Sequence, residues 1–235
     1  MVCRRTLLAV LAWAGASGSA AGQQMGEERQ VGILVLRREP PPASILQKGG
    51  DAKQAEKLTA VVLDRSDVRE IRQYRDFLDG KVAREPSRLR QADLVNDYVN
   101  RRVRAVSDYT LYLGKDVWAP PINTLLVGGD CEDLALLKRW GLNRVGVPLQ
   151  DSYLVAGLSF IRGAPVSHAL LVVKLPEGGV AVLDNLHGPV LRSLREARLE
   201  PTYAVNEYGF WKVLNPKGPD DSYWHRAFVA ANGAK

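Results

Sequence analysis

Cysteine is scarce in this chain: its 235 residues hold two, Cys3 and Cys131, beside only three histidines, His168, His187 and His225. Long apolar runs are missing as well. None approaches the roughly 20 residues that a membrane-spanning helix requires. No basic stripe with interleaved aromatics is present, which argues against nucleic acid as a partner. Internal repeats and low-complexity tracts are lacking too. The remainder is a sequence of 46% hydrophobic residues, suited to one compact domain or to a domain with a small helical lobe.

The amino terminus reads as a secretory signal. Arg4 and Arg5 form a charged head, Thr6 to Gly15 an apolar stretch, and Ala16 to Ala21 a run of small residues suited to cleavage. A retained amphipathic anchor is the alternative. The expected division is a signal peptide at 1–21, an arm of open structure at 22–66, and the main domain at 67–235. The expected location is the periplasm or the exterior. Cleavage removes Cys3, Arg4 and Arg5, so the formal charge falls from +6 to +4 and Cys131 is left alone. No disulfide partner remains, and a lone thiol in an oxidising compartment is a liability unless buried or used.

Past the signal, Val31 to Leu36 is a short apolar run, either a strand or a loosely attached arm, and Lys48 to Lys53 reads as loop. Ser66 is a candidate cap for a helix carrying Val68, Ile71, Tyr74 and Leu78 on one face, with Gly80 as its stop. Ser87 opens another, with Ala92, Val95, Val99, Val103 and Val106 at helical spacing. Arg84 to Arg90 and Arg101 to Arg104 belong to solvated faces. Beyond the rigid Trp118-Ala-Pro-Pro element, the pattern turns to strands. Leu154 to Ile161, Val166 to Leu175, Val180 to Leu183 and Tyr203 to Val213 are the β-rich runs, with a hairpin turn at Pro176-Glu-Gly-Gly179. The tail from Asn215 is turn-rich. Helices followed by an antiparallel sheet predict an α+β fold.

The stretch Gly128 to Leu142 separates these halves. Two glycines permit a sharp turn, Asp130 has the residue type of a helix cap, and Gly141 is the expected stop. Cys131 then occupies the first helical position. There the helix dipole favours a thiolate, and unpaired backbone N–H groups can hold an oxyanion. Cys131 is thus either a nucleophile or a small buried hydrophobe.

A cysteine nucleophile needs a base, and the base an orienting group. His168 opens an apolar strand and Asp184 closes the next, so a hairpin brings both to one end of the sheet. They share a face only when paired residue numbers sum to 352 or 354, which requires an odd loop centred near Pro176 or Glu177. Taken singly, His168 fits a half-buried histidine and Asp184 a turn former. In the order Cys131, His168, Asp184 they fit a catalytic triad. Asp130, Glu132 and Asp133 oppose ionisation of the neighbouring thiol and call for a counter-charge. A Ca²⁺ held by Asp130 and Glu132 would supply it, as would Lys138 or an arginine of the helical lobe. Carboxylates that merely face solvent are the other reading.

Asp-Cys-Glu-Asp-Leu-Ala-Leu-Leu-Lys at 130–138, preceded by Trp118-Ala-Pro-Pro, resembles the bacterial transglutaminase-like cysteine proteinases. So do Val95-Asn-Asp-Tyr-Val-Asn100, Ser167-His-Ala-Leu-Leu171, Leu183-Asp-Asn-Leu186 and the block from Tyr203 to Trp211. The resemblance covers roughly residues 70 to 213. It implies a papain-like α+β fold over 67–235, a Cys131–His168–Asp184 triad, and calcium dependence through Asp130 and Glu132. It also implies a protein substrate such as a surface adhesin, and an inhibitory membrane receptor as a further partner. Two positions depart from the pattern: Asn123 stands where the family carries glutamate, and Leu134 where it carries an aromatic. The expected activity is that of an exported cysteine endopeptidase. A transglutaminase-type acyl transferase using the same triad and a non-catalytic periplasmic binding module are the rivals.

Overall fold

The computed structural model describes residues 25–31, 34–41, 59, 61–113, 116–161 and 164–214. The expected signal peptide, the glycine loop near 49, the turn-rich tail and His225 lie outside these residues.

Seven strands form one antiparallel sheet in the order β1-β2-β7-β6-β3-β4-β5. Its centre comprises β3 (Ser152–Ile161), β4 (Ala164–Lys174), β6 (Leu199–Asn206) and β7 (Gly209–Leu214), with β5 (Val180–Leu183) along one edge. The expected single run at Tyr203 to Val213 is therefore a hairpin, β6 turning into β7. The run at Val31 to Leu36 is also a hairpin, β1 (Glu28–Val31) and β2 (Leu34–Glu39), and β2 pairs with β7. Part of the arm is thus integral to the sheet, and the helical lobe is both preceded and followed by strands.

Alternate residues of the strands enter two cores. Leu154, Ala169, Leu171, Val173, Ala181 and Leu183 pack beneath the helices. Tyr153, Val155, Leu170, Val172, Val182 and Trp211 fill the opposite face, where Leu194 and Ala197 cover them. This explains the unbroken apolar text of β4, because a strand covered on both faces loses its polar alternation. Each large apolar side chain so buried contributes about 1.5–3 kcal/mol relative to exposure.

The helical layer contains α1 (Arg69–Phe77), α2 (Arg88–Arg102), α3 (Asp108–Leu111), α4 (Pro121–Val127) and α5 (Cys131–Arg144). Ser87 caps α2 as expected, its hydroxyl accepting from the Arg90 N–H at 3.3 Å. Gly80 does not stop α1. The chain widens there into a π-helical turn over Leu78–Val82, in which Leu78 and Val82 are both fully buried. Nor does Gly141 stop α5, which runs on to Arg144. Gly141 lies mid-helix because Tyr74 of α1 packs onto it, donating from its hydroxyl to the Leu137 carbonyl at 3.3 Å. Termination falls to Gly146, at φ +94°. Arg144 then ties the end of α5 to Asp79 through two bonds of 2.8 Å. Among the described residues no helix is long and apolar enough to cross a membrane.

Candidate active site

The turn before α5 is held by glycine for two reasons. Gly128 adopts φ +92°, and a Cβ there would stand 2.5 Å from the Arg104 carbonyl oxygen. A Cβ on Gly129 would stand 2.5 Å from the Asp133 carboxylate. The first contact arises because the chain leaving α2 runs beside the turn, with the Val106 N–H donating to the Gly129 carbonyl at 2.8 Å, and the second because the first turn of α5 folds back over Gly129. Asp130 holds the cap position, yet its side chain caps nothing. Cys131 opens the helix with 4% exposure, and its thiol donates to Glu132 Oε2 at 3.0 Å. The helix behind it packs against β4.

His168 sits on β4 and Asp184 one residue past β5. The pairing of Leu171 with Leu183 sums to 354, and the connecting loop is the five residues 175–179, odd in number and centred on Glu177. This is the register in which the two residues are diagonal neighbours on one face. His168 Nε2 lies 2.7 Å from Asp184 Oδ1, and the two residues are 4% and 0% exposed. The Leu186 N–H donates to the same oxygen at 3.0 Å. The other oxygen, Oδ2, receives His187 Nδ1 at 2.9 Å. Burial alone would raise the Asp184 carboxyl. The hydrogen bond and charge of His168, with the donations from Leu186 and His187, bring it down to about 2.

Lys138 is placed behind this group rather than beside the acidic residues at the helix start. It lies seven residues after Cys131 on the same helix and is 1% exposed, with Asp184 as the charge that faces it. Burial lowers its ammonium group to about 7, and Asp184 partly opposes the shift. Tyr203 of β6 stands among Glu132, Asp116 and Cys131. Burial first, and then those groups, hold its phenol well above the usual range. Trp118 is part of the main core.

The carboxylates around Cys131 do not face solvent. Glu132 and Asp133 are 1% and 0% exposed. They join two residues whose role the local motif does not disclose, Asp108 and Asp116, in overlapping groups: Asp130–Cys131–Glu132, Asp108–Asp116–Glu132 and Asp108–Asp130–Asp133. Within each group the ligand atoms lie within 4.8 Å of one another. Burial and the charges of Asp130 and Asp108 push the Asp133 carboxyl well up, although backbone N–H groups of Ala119 and Asp130 favour its ionised form. Asp133 Oδ2 is buried with no hydrogen-bond partner. An orphaned carboxylate oxygen facing further carboxylates suits a hard cation, so the residues fit Ca²⁺. Asn123 is exposed on α4.

The site thus comprises two groups: Cys131, hydrogen-bonded to Glu132 among the acidic residues at the start of α5, and the hydrogen-bonded His168–Asp184–His187, whose carboxylate is faced by Lys138 two turns along the same helix. Of the sequence candidates, the structure bonds His168 to Asp184 and Cys131 to Glu132, and places Asp130 beside them. His187 lies in a loop as expected, and Asp108, Asp116 and Tyr203 join the neighbourhood only through the fold. Sequence reasoning also gave no role to Asn96 and Asn100, which fasten the 184–188 loop to α2. The spacing Asp184-x-x-His187 is the one local sign that could have disclosed the second imidazole.

A helix-borne buried cysteine packed over an antiparallel sheet that carries an imidazole–carboxylate pair places the chain in the papain-like α+β class. The model of the bacterial transglutaminase-like cysteine proteinases (BTLCP) matches residues 69–199, more than half of the chain, and the chain belongs to that family. It is a cysteine peptidase. Among solved structures, Legionella pneumophila LapG is 23% identical with a TM-score of 0.54, over 77% of this chain and 97% of that one. Its EGTA-treated form matches with the same values. Its calcium-bound form matches at 23% identity and a TM-score of 0.54, over 76% of this chain and 98% of that one. These likenesses bear on the fold. None of the curated proteins matches this sequence.

Proposed function

We propose that this chain is an exported endopeptidase acting on an envelope or cell-surface protein, with Cys131 as nucleophile, His168 as base and Asp184 as orienting group. The observation that carries this reading is the buried 2.7 Å contact between His168 Nε2 and Asp184 Oδ1. With Asp184 ionised, Nε2 bears the proton it donates, and Nδ1 becomes the ring nitrogen available to the thiol. Nδ1 accepts the thiol proton, and the sulfur attacks the substrate carbonyl carbon. The backbone N–H of Cys131, at the positive end of α5, stabilises the developing oxyanion. Collapse of the intermediate breaks the C–N bond, and the imidazolium returns its proton to the leaving amine. Water, deprotonated by the same nitrogen, then releases the acyl group from sulfur.

Asp108, Asp116, Asp130, Glu132 and Asp133 are the residues that would hold Ca²⁺. The ion would offset the negative charge beside the thiol and order the turn at 128–130. The calcium-bound form of LapG and the buried acidic groups of this chain support this assignment. The charged head and apolar stretch of residues 4–15 support export. A surface adhesin as substrate and a membrane receptor as inhibitor are proposals that rest on family likeness.

The test is incubation of purified surface proteins encoded beside this chain with wild type, Cys131→Ala and His168→Ala. Cleavage by wild type alone is expected. Incorporation of a labelled primary amine without cleavage would instead indicate acyl transfer.

A further inference from the structure

A triad carboxylate acts through its orientation, and the fold leaves that orientation to contacts outside the sheet. Asp184 lies past the last ladder pair of β5, Leu171 with Leu183. The chain beyond it is a loop fastened by side chains. Asn100 Nδ2 donates to the Asp184 carbonyl at 2.7 Å and to the His187 carbonyl at 3.0 Å. Asn96 Nδ2 donates to the Gly188 carbonyl at 3.0 Å. Both asparagines lie on α2, one turn apart, and they hold residues 184–188 against that helix.

This anchoring delivers the His187 imidazole to Asp184. Its Nδ1 meets Oδ2 at 2.9 Å while Oδ1 serves His168 and the Leu186 N–H. The carboxylate is thereby gripped at both oxygens. The two imidazoles differ in setting: His168 has 4% of its side chain exposed and His187 has 34%. A buried ring, a buried carboxylate and a half-exposed ring form one hydrogen-bonded line. Among the described residues the charged group of α5 that faces Asp184 is Lys138, and on the triad reading the Cys131 thiol faces His168 from the start of the same helix. From α2 the partners are the neutral amides of Asn96 and Asn100.

Resting on the triad reading, we propose that His187 is a positioning residue, which through its bond to Asp184 Oδ2 holds the carboxylate aligned on His168. With bonds at Oδ1 alone, from His168 and the Leu186 N–H, Oδ2 would be unheld and the carboxylate could turn about its terminal torsion, so the imidazolium of His168 would lose part of its partner. His187 does not touch the reacting atoms. Its effect passes through Asp184.

The test uses the rate of iodoacetamide alkylation of Cys131 at one fixed pH near 7, followed by mass spectrometry on a chain starting at residue 22, where this is the only thiol. His187→Ala should slow alkylation about threefold or more. His187→Asn should restore the wild-type rate, since an amide nitrogen can take the place of Nδ1. An unchanged rate in folded His187→Ala overturns the proposal. So does a loss that Asn does not rescue, whatever the Tm, because the hydrogen bond to Oδ2 is then not what the site requires. Cys131→Ala and His168→Ala, run in parallel for cleavage of surface proteins, separate the two levels. If both are inactive while His187→Ala alkylates normally, positioning alone fails. If His168→Ala still cleaves, the triad and the positioning role fall together.

Discussion

The hydroxyl of Tyr74 occupies the space that a Cβ on Gly141 would need. Tyr74 is fully buried, and its hydroxyl reaches the Leu137 carbonyl one turn before that glycine. The contact sets how closely α1 approaches the helix that carries Cys131. Gly141→Ala should therefore cost about 1–3 kcal/mol by overpacking, despite the better helix propensity of alanine. Tyr74→Phe should recover part of that loss in the double variant, since it removes the clashing oxygen. Denaturant titration of the four-member cycle measures this coupling, and strict additivity would show that the contact does not govern the packing.

Replacing the nucleophile tests the chemistry most directly. Cys131→Ala should lower cleavage on the order of 10³-fold or more while leaving Tm nearly unchanged, because one small group is lost at a helix start. Substantial residual turnover by a folded Cys131→Ala protein would remove Cys131 from its role.

Much of the frame was legible. The odd hairpin loop placing His168 and Asp184 together follows from strand periodicity, and the serine cap of α2 follows from its local motif. Gly80 and Gly141 misled for a shared reason. A glycine inside a helix reads as a stop unless the partner that needs the space is known, and Tyr74 lies far from Gly141 in sequence. Asp108, Asp116 and Tyr203 were hidden likewise, since each reaches the residues around Cys131 only through tertiary packing. The β1–β2 hairpin was ambiguous because so short an apolar run gains its stability only from pairing with β7.

Acid stability should report on Asp184. Its folded carboxyl, at about 2, lies below the ordinary 3.8. It therefore contributes stability above about pH 4, which is lost as pH falls from there toward about 2. A gap of nearly two units corresponds to about 2 kcal/mol. Urea unfolding at pH 5 and pH 2.5 should show that decline in wild type and a smaller one in Asp184→Asn. Equal declines would mean that other carboxyls carry the effect.

Lys138 gives a pH dependence of the same sign in a higher window. Its ammonium falls from 10.5 to about 7 on burial, so between those values the unfolded chain holds more protons than the folded one. Stability should then rise with pH from about 7, by up to about 1.4 kcal/mol per unit. Lys138→Met removes this contribution while filling similar volume. The difference in unfolding free energy between wild type and Lys138→Met should grow in favour of wild type from pH 7 to pH 9. A constant difference would show that Lys138 does not titrate in this window.

Calcium binding follows from the charge around Cys131. Five carboxylates, Asp108, Asp116, Asp130, Glu132 and Asp133, converge at the start of α5, and Asp133 Oδ2 has no hydrogen-bond partner there. Lys138 faces Asp184 instead, so it does not balance this group. A bound divalent ion stabilises the folded state by mass action, about 2.7 kcal/mol at a hundredfold excess over Kd. Adding Ca²⁺ to chelator-treated protein should therefore raise Tm and restore both iodoacetamide reactivity and cleavage. Mg²⁺ should do less, because it demands a tighter octahedral shell and releases its waters reluctantly. Asp130→Ala and Asp108→Asn should each abolish the Tm increment, and Cys131→Ala should keep it, which separates ion binding from catalysis. An unchanged Tm and full cleavage in excess chelator would refute the metal site and leave the Cys131–His168–Asp184 assignment to stand on its own tests.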